Sequence, residues 1–139
     1  MINDRRVLIC GGRLYRDTAE IDRVLTALHR KFGFSVVIEG EAQGADILAR
    51  DWALLNKINV EQYFANWDLL GNRAGTARNA RMLREGRPMI GICFPGGDGT
   101  ADMADRLIKA GVATFVGLKS SEPGSATVWS IHNACALTA

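Results

Sequence analysis

Short apolar runs alternate with segments of helical periodicity along this chain. The first run, residues 6–10, ends at two glycines and is typical of a buried strand. The next segment places its apolar side chains on one face of a helix, at positions Ile21, Val24, Leu25 and Leu28. The same criteria predict further strands at residues 34–39, 58–64, 90–94 and 112–118, and further helices at residues 47–55, 76–85 and 101–110.

Strands that alternate with helices predict an α/β fold, in which helices cover both faces of a parallel sheet. Right-handed crossovers leave few topologies. The simplest is a Rossmann-like, doubly wound, mainly parallel five-stranded sheet of order 3-2-1-4-5. We expect residues 1–139 to form one domain with its core at about residues 6–118. In the tail, residues 119–139, Val128, Ile131 and Cys135 recur at helical spacing, which predicts a short helix.

Three of the predicted strand-to-helix turns are rich in glycine, and they follow the first, second and fourth strands. In the predicted order these strands are neighbours, so the turns line one cleft at the topological switch point, where such sheets bind ligands. Glycine lets a ligand approach the backbone, and the first N–H groups of a helix can bind an anion. The sequence therefore predicts a site for a phosphate-bearing ligand. Its glycines are Gly11, Gly12, Gly40, Gly44, Gly96, Gly97 and Gly99.

The third turn, residues 95–100, is the best candidate for the phosphate site. We expect the backbone N–H groups of Gly97, Gly99 and Thr100 to hold the phosphate, with the Thr100 hydroxyl as a further donor or as the helix N-cap. The turn is not a P-loop, because no Gly-Lys-Ser/Thr follows the glycines. It also lacks the dinucleotide fingerprint, because Asp102 stands where the third glycine belongs. A mononucleotide or a nucleotide derivative fits this turn better than NAD.

Four side chains near the turns are candidate ligand contacts. Arg78, early in the third helix, is placed to clamp a phosphate, and Arg13 follows the first glycine pair. Asp46 at a helix N-terminus stabilises the helix dipole, and its position also suits a ribose hydroxyl. Trp67 lies in a predicted loop at residues 66–75, where it either stacks on a base or pins that loop to the body.

Composition and charge narrow the choice of partners. A net charge of +2 is too small to indicate binding to nucleic acid or to an anionic membrane. No apolar run is long enough to span a bilayer and no apolar leader is recognisable, so we expect a cytoplasmic protein. The cysteines, Cys10, Cys93 and Cys135, lack metal-type spacing and are typical of a reducing compartment. The sequence predicts neither a metal site nor a cofactor.

Four sequence blocks resemble a known superfamily. They are Cys10-Gly11-Gly12-Arg13, Gly40-x-x-x-Gly44-Ala45-Asp46, Trp67-x-x-x-Gly71-x-x-Ala74-Gly75-x-x-Arg78-Asn79 and Pro95-Gly96-Gly97-x-Gly99-Thr100-Ala101-Asp102-Met103. In these blocks the chain resembles the SLOG superfamily, and within it the YspA-related branch of small bacterial and phage proteins, over about residues 6–118. The superfamily includes LOG-type phosphoribohydrolases and the DNA-processing protein DprA. The resemblance implies a Rossmann-like fold, a nucleotide-derived ligand at the Pro-Gly-Gly-x-Gly-Thr turn, and Asn79 among the ligand contacts.

The enzymatic members of the superfamily carry Pro-Gly-Gly-x-Gly-Thr-x-x-Glu, and this chain has Met103 at the last position. Methionine neither bears charge nor transfers a proton, and the adjacent Asp102 is turned by ~100° around the helix. Arg78 corresponds in position to the arginine that is the other catalytic element of those enzymes. The resemblance therefore implies a retained phosphate clamp without its acidic partner.

Two functions follow as hypotheses. The first is binding of a nucleotide or nucleotide-derived small molecule without chemistry. The alternative is a nucleoside 5′-monophosphate phosphoribohydrolase, an N-glycosidic hydrolase in which Arg78 works with Asp46, Asp98 or Asp102. DNA binding by analogy with DprA is disfavoured by the small net charge. Because members of the superfamily commonly dimerise, we also expect a homo-oligomer.

Overall fold

The computed structural model describes residues 5–138. Its strands form a six-stranded sheet of order β3-β2-β1-β4-β5-β6. The strands are β1 (Arg6–Cys10), β2 (Val36–Glu39), β3 (Asn59–Gln62), β4 (Ile90–Cys93), β5 (Ala113–Lys119) and β6 (Thr127–His132). Strands β1 to β5 are parallel, and β6 pairs antiparallel with β5. The predicted α/β fold and the order of the first five strands are therefore confirmed.

The crossovers between parallel strands are helical. The α-helices are α1 (Thr18–Phe32), α2 (Ala45–Leu55), α3 (Trp67–Leu70), α4 (Ala74–Gly86) and α5 (Asp98–Lys109), and short 3₁₀ turns cover Gly71–Arg73 and Ala134–Leu137. Local chemistry sets the ends of α1. The Asp17 side chain accepts a hydrogen bond from the Glu20 N–H at its start, and Gly33 adopts a left-handed φ of 69° at its end.

The helices bury both faces of the sheet. On one face, Ile21 and Leu25 of α1 and Trp52 of α2 pack with Ile9 of β1. On the other face, Leu8 of β1 joins a core built from α4 and α5, with the side chains of Met82, Met103 and Leu107. Because successive strand residues point to opposite faces, a strand buried on both sides has to be apolar throughout. Strand β4 and, after Arg6, strand β1 meet that condition, and these two strands form the centre of the sheet.

The helix predicted in the tail is wrong, because residues 127–132 form strand β6. The Trp129 ring packs edge-on against Phe94 with 5.2 Å between ring centroids, and the Trp129 Nε1–H donates to Glu20 Oε2 at 3.0 Å. Val128 and Ile131, which suggested a helix face, are exposed at the sheet edge. Pairing with β5 and the packing of Trp129 outweigh a three-residue coincidence of helical spacing.

The predicted loop at residues 66–75 is also ordered more tightly than expected. The Asn66 side chain accepts a hydrogen bond from the Leu69 N–H and starts α3, and α4 begins at Ala74, two residues before the predicted start at Thr76. No helix within residues 5–138 combines the length and the hydropathy that crossing a bilayer requires.

Candidate functional site

The three glycine-rich turns meet at the carboxyl ends of β1, β2 and β4. The turn after β1 lies in the middle and is bonded to both others. The Gly12 N–H donates to the Pro95 carbonyl at 3.0 Å, and the Ala45 N–H donates to the Gly12 carbonyl at 3.2 Å. Strands β1 and β4 are adjacent, although β2 and β3 separate them along the chain, so the turns border the switch-point cleft.

Four of the glycines hold these turns together. A Cβ at Gly11 would lie 2.5 Å from the Ala45 Cβ, and one at Gly96 would lie 2.6 Å from the Gly12 nitrogen. A Cβ at Gly12 would in turn meet the Gly96 Cα at 3.0 Å. Gly44 has a φ of 79° and no room for a side chain beside the Gly12 carbonyl. These positions are glycine because the backbones of the three turns touch.

Gly97 and Gly99 have a different environment, because a Cβ at either position would have no neighbour within 4 Å. They flank the start of α5, whose first helical hydrogen bond runs from the Ala101 N–H to the Gly97 carbonyl. The N–H groups of Asp98, Gly99 and Thr100 therefore have no partner within the helix. Gly97 occupies the N-cap position, which corrects the predicted N-cap role of Thr100.

A cavity of about 500 Å³ opens in front of this helix start. Most of the predicted site residues line it: Gly11, Gly12, Arg13, Gly40, Asp46, Arg78, Asn79, Gly97, Gly99 and Thr100. Gly44 and Gly96 do not line it, since they lie where the turns pack together, and Asp102 does not line it either. The prediction that three separate turns share one cleft thus matches the geometry of the cavity wall.

Arg78 is fixed against the wall of the cavity. Its Nη1 donates to the Gly40 carbonyl at 2.6 Å, and its Nε donates to the Asn79 Oδ1 at 3.1 Å. A Cβ at Gly40 would lie 2.8 Å from Nη1, so any other residue at that position would displace the guanidinium from this arrangement. Burial lowers the pKa of Arg78, and the nearby Asp46 carboxyl raises it. With two of its nitrogens engaged by the protein, the guanidinium keeps Nη2 for a ligand.

Asn79 connects α4 to the start of α5. Its Nδ2 donates to the Gly99 carbonyl at 3.1 Å and to Asp102 Oδ2 at 3.0 Å. Asp102 in turn forms an ion pair with Arg106, with 2.9 Å between Oδ2 and Nε. Asp102 therefore does not line the cavity. Its carboxyl group fixes the Asn79 amide by a hydrogen bond, and that amide in turn fixes the Arg78 guanidinium.

Asp46 is the buried carboxyl of the cavity, with 4% of its surface exposed. Its Oδ2 accepts from the Ala42 N–H at 3.2 Å, while its Oδ1 has no hydrogen-bond partner within residues 5–138. Burial raises the pKa of Asp46 to about 6, against the opposing effects of the Ala42 N–H and of Arg78. Asp46 lines the cavity but its unpaired oxygen is itself buried, so a hydroxyl or amine donor on a ligand would reach that oxygen through a small shift of the side chain.

Arg13 and Trp67 face each other at the mouth of the cavity. The Arg13 guanidinium carbon lies 5.1 Å from the centroid of the Trp67 ring, and both side chains are exposed. The ring also rests on α4, since a Cβ at Gly75 would lie 3.5 Å from its Cη2.

The sequence of this chain is similar to those of known proteins. A family model described as the YspA, cpYpsA-related SLOG family matches residues 5–69. The chain is also 35% identical over 116 residues to the Gene 61 protein of Mycobacterium phage D29, which covers 78% of this chain and 92% of that protein. No solved structure matches the chain.

The chain belongs to the YspA/cpYpsA-related SLOG family. The predicted resemblance is therefore confirmed. The matched segment runs from β1 through α3 and contains two of the three glycine-rich turns, with Asp46 and Trp67. Membership in this family supports a function that involves a nucleotide-related ligand, without specifying the ligand or a reaction.

Met103 is the position at which this SLOG chain departs from the enzymatic motif. Its side chain is 1% exposed in the core between the sheet and helices α4 and α5, and it does not line the cavity. The position is thus filled by a core residue. Within residues 5–138, the carboxyl groups that line the cavity belong to Asp46 and Asp98.

Several lining residues escaped the sequence analysis: Ala42, Asn72, Gly75, Thr76 and Met82. Cys10 also lines the cavity, opposite Cys93 in the β1–β4 register, and the Cys93 thiol and burial raise its pKa. Glu39 was missed as well. It is fully buried at the end of β2, its Oε1 has no partner within residues 5–138, and burial raises its pKa to about 8. A charged residue that ends a β-branched run was the signal for Glu39.

Proposed function

We propose that this protein binds a nucleotide or nucleotide-derived small molecule in the cavity at the switch point. The observation that carries the proposal is the open first turn of α5, with bare glycines at positions 97 and 99, beside Arg78 in one cavity of about 500 Å³. Both features favour an anion, and the cavity is large enough for the rest of a mononucleotide.

The phosphate would lie at the start of α5. The N–H groups of Asp98, Gly99 and Thr100 supply three donors with the positive end of the helix dipole behind them. Arg78 Nη2 adds a charged donor, since its other nitrogens already bind Gly40 and Asn79. These donors together would hold a phosphate.

The sugar would lie between the phosphate and Asp46. The unpartnered Oδ1 of Asp46 accepts a hydrogen bond from a ribose hydroxyl, and this bond supplies the partner that the buried oxygen lacks. A ligand with both an anion and a hydroxyl donor satisfies both walls of the cavity, whereas inorganic phosphate satisfies only one.

Thermal-shift and calorimetric titration against nucleoside monophosphates, cyclic nucleotides and ADP-ribose test this function. We expect at least one of these compounds to stabilise the protein, and we expect Gly97→Val to weaken its binding by about 100-fold or more, because the new side chain fills the phosphate position. Gly97 has a φ of −99° and a ψ of −146°, and this ψ lies outside the β region that valine favours, so the free energy of unfolding of Gly97→Val is measured beside its affinity. Ala110→Val, exposed at the far end of α5, is the matched control. If none of the compounds stabilises the wild-type protein, the proposal is rejected.

The second candidate function is N-glycosidic hydrolysis of a nucleoside 5′-monophosphate. The buried Asp46 favours it, because a carboxyl with its pKa raised to about 6 in a cavity is a candidate catalytic group for an oxocarbenium-like transition state. Release of free base from AMP is the assay, and we expect Asp46→Asn to reduce turnover by about 100-fold or more. Turnover that survives Asp46→Asn would remove that residue from the mechanism, and Asp98→Asn would then test the other carboxylate of the wall.

We also propose that the protein is located in the cytoplasm. Cys10, Cys93 and Cys135 are free thiols, which agrees with the cytoplasmic compartment that we propose.

A further inference from the structure

The contact between Arg13 and Trp67 is built from two side chains that have few other partners. Arg13 follows β1 and Trp67 is the first residue of α3, so the contact joins two separate segments across the cavity mouth. The Arg13 side chain makes no hydrogen bond or ion pair with any residue in the range 5–138. Its guanidinium rests on the ring of a tryptophan that is 47% exposed.

The Trp67 ring stands where the main cavity meets its neighbours. It lines the cavity of about 500 Å³ and also an adjoining cavity of about 380 Å³, and Arg13, Gly40 and Arg78 line both of them as well. A planar group bound in the main cavity therefore has direct access to the ring. The Arg13 guanidinium lies over this ring, 5.1 Å from its centroid.

We propose that Trp67 is the stacking surface for the planar base of the ligand, and that Arg13 covers this surface until the ligand binds. The inference rests on the proposed function and deepens it. Binding exchanges the partners of both side chains. The base takes the place of the guanidinium on the indole ring, and the guanidinium turns to the phosphate.

Each half of this exchange is favourable. A cation over an exposed ring is a weak contact, and a stacked base buries more of the ring than a guanidinium does. Arg13 gains a charge-assisted hydrogen bond to the phosphate in place of that weak contact. The free protein thus keeps an apolar ring covered without holding it in a strong interaction.

The exchange specifies the class of ligand. A ring that stacks on indole has to carry a π face, so nucleotides are bound in preference to phosphorylated sugars of the same charge. Stacking by itself distinguishes poorly between bases, because every base presents a π face. The structure thus assigns selectivity for the presence of a base to Trp67, and phosphate binding to α5 and Arg78.

Calorimetric titration with the four common ribonucleoside 5′-monophosphates and with ribose 5-phosphate tests the inference. We expect at least one nucleotide to bind about 10-fold or more tightly than ribose 5-phosphate to the wild-type protein. In Trp67→Leu that ratio should fall to near one, while Trp67→Phe should keep part of it. Leu69→Ala is the control, because Leu69 is 75% exposed on the same helix and lines neither cavity.

Tryptophan fluorescence adds a second readout. Binding of the preferred nucleotide should change the emission of the wild-type protein, and Trp67→Phe should lose most of this change although Trp52 and Trp129 remain. The wild-type protein and Trp67→Phe are compared at saturating nucleotide.

Two results would overturn the inference. One is equal affinity for ribose 5-phosphate and for every nucleotide, and the other is an equal loss of affinity for both classes in Trp67→Leu. In either case ribose 5-phosphate binding that disappears in Gly97→Val would still support the phosphate site. If neither class of compound binds to the wild-type protein, the proposed function and this inference fail together.

Discussion

Gly97 and Gly99 differ from the other cleft glycines in what lies around them. At the other five, atoms of neighbouring residues occupy the space of a Cβ, whereas these two glycines face open space. The sequence predicted all of them as ligand contacts, since a glycine-rich turn by itself does not show which positions are packed. The neighbours of each Cβ position come from other turns, so only the folded chain separates the two groups.

For Asp102, too, only the folded chain shows whether a predicted site residue faces the cavity. From its place beside Met103 it was a candidate catalytic carboxylate. The structure places it behind Asn79, paired with Arg106 and away from the cavity. Successive side chains of a helix point in directions that differ by ~100°, so a shift of one residue decides whether a carboxylate faces the cavity.

Glu39 provides a pH prediction at this scale. Its pKa is raised to about 8 by burial, so the folded state disfavours the carboxylate. The favourable contribution of the protonated form is fully present below the unfolded pKa and is lost as pH rises towards 8. Urea unfolding should therefore show that Glu39→Gln raises the free energy of unfolding at pH 8 by on the order of 1 to 3 kcal/mol, with a smaller gain at pH 5.

Glu122→Gln makes the same chemical change at an exposed position and is the control. A Glu39→Gln effect of the same size at pH 5 and pH 8 would show that burial of the ionised carboxyl is not what limits stability.

Strand β6 shows how an element is decided by its partners. Residues 127–132 contain β-branched and aromatic side chains as well as a helical spacing of apolar positions, so the local pattern supports two structures. Pairing with β5 over the register from Thr114–His132 to Lys119–Thr127 selects the strand. Strands β2, β4 and β5 and most of β1 were predictable because they are largely apolar or β-branched runs between turn residues, whereas β3 was predicted from a weaker alternation over residues 58–64.

Packing of Trp129 is expected to contribute to the stability of the whole fold. Trp129→Ala removes the edge contact with Phe94 and the hydrogen bond to Glu20, and we expect it to lower the free energy of unfolding by about 2 to 3 kcal/mol. Val128→Ala, on the opposite and exposed face of β6, should change it by less than about 0.5 kcal/mol. Chemical denaturation measures both. Equal effects of the two substitutions would mean that β6 adds nothing beyond its backbone pairing.

The whole molecule is organised by the reversal of strand order at β1. From β1 the chain builds outward through β2 to β3 and then returns to add β4, β5 and β6 on the other side. The helices of the two halves therefore cover opposite faces, and the turns after β1 and β4 open into one cleft between them. The ligand site that we propose is a consequence of this topology more than of any single motif.

The free edge of β6 argues for self-association, which remains a prediction. Leu118, Val128 and Ile131 are exposed large apolar side chains next to that edge. We expect a second copy to cover them, and we expect lysine at Val128 and Ile131 together to weaken the homo-oligomer by about 10-fold or more. Sedimentation velocity over a range of concentrations measures this. Leu55→Lys, exposed at the end of α2, is the control, and a wild-type protein that stays monomeric at every concentration would contradict the expectation.

The sequence by itself determined the fold class, the order of the five parallel strands, the family and the convergence of three glycine turns. These features depend on local periodicity and on the few crossovers that chirality allows. Only the tertiary structure decided that residues 127–132 form a strand, that Asp102 supports Asn79 from outside the cavity, and that Gly97 and Gly99 are the open members of the seven predicted site glycines. Each of these depends on contacts between residues that are distant along the chain, so no local pattern determines it. The turn before α5 remains the predicted phosphate site. The contact between Arg13 and Trp67 could not be predicted, because only the fold brings these two residues together.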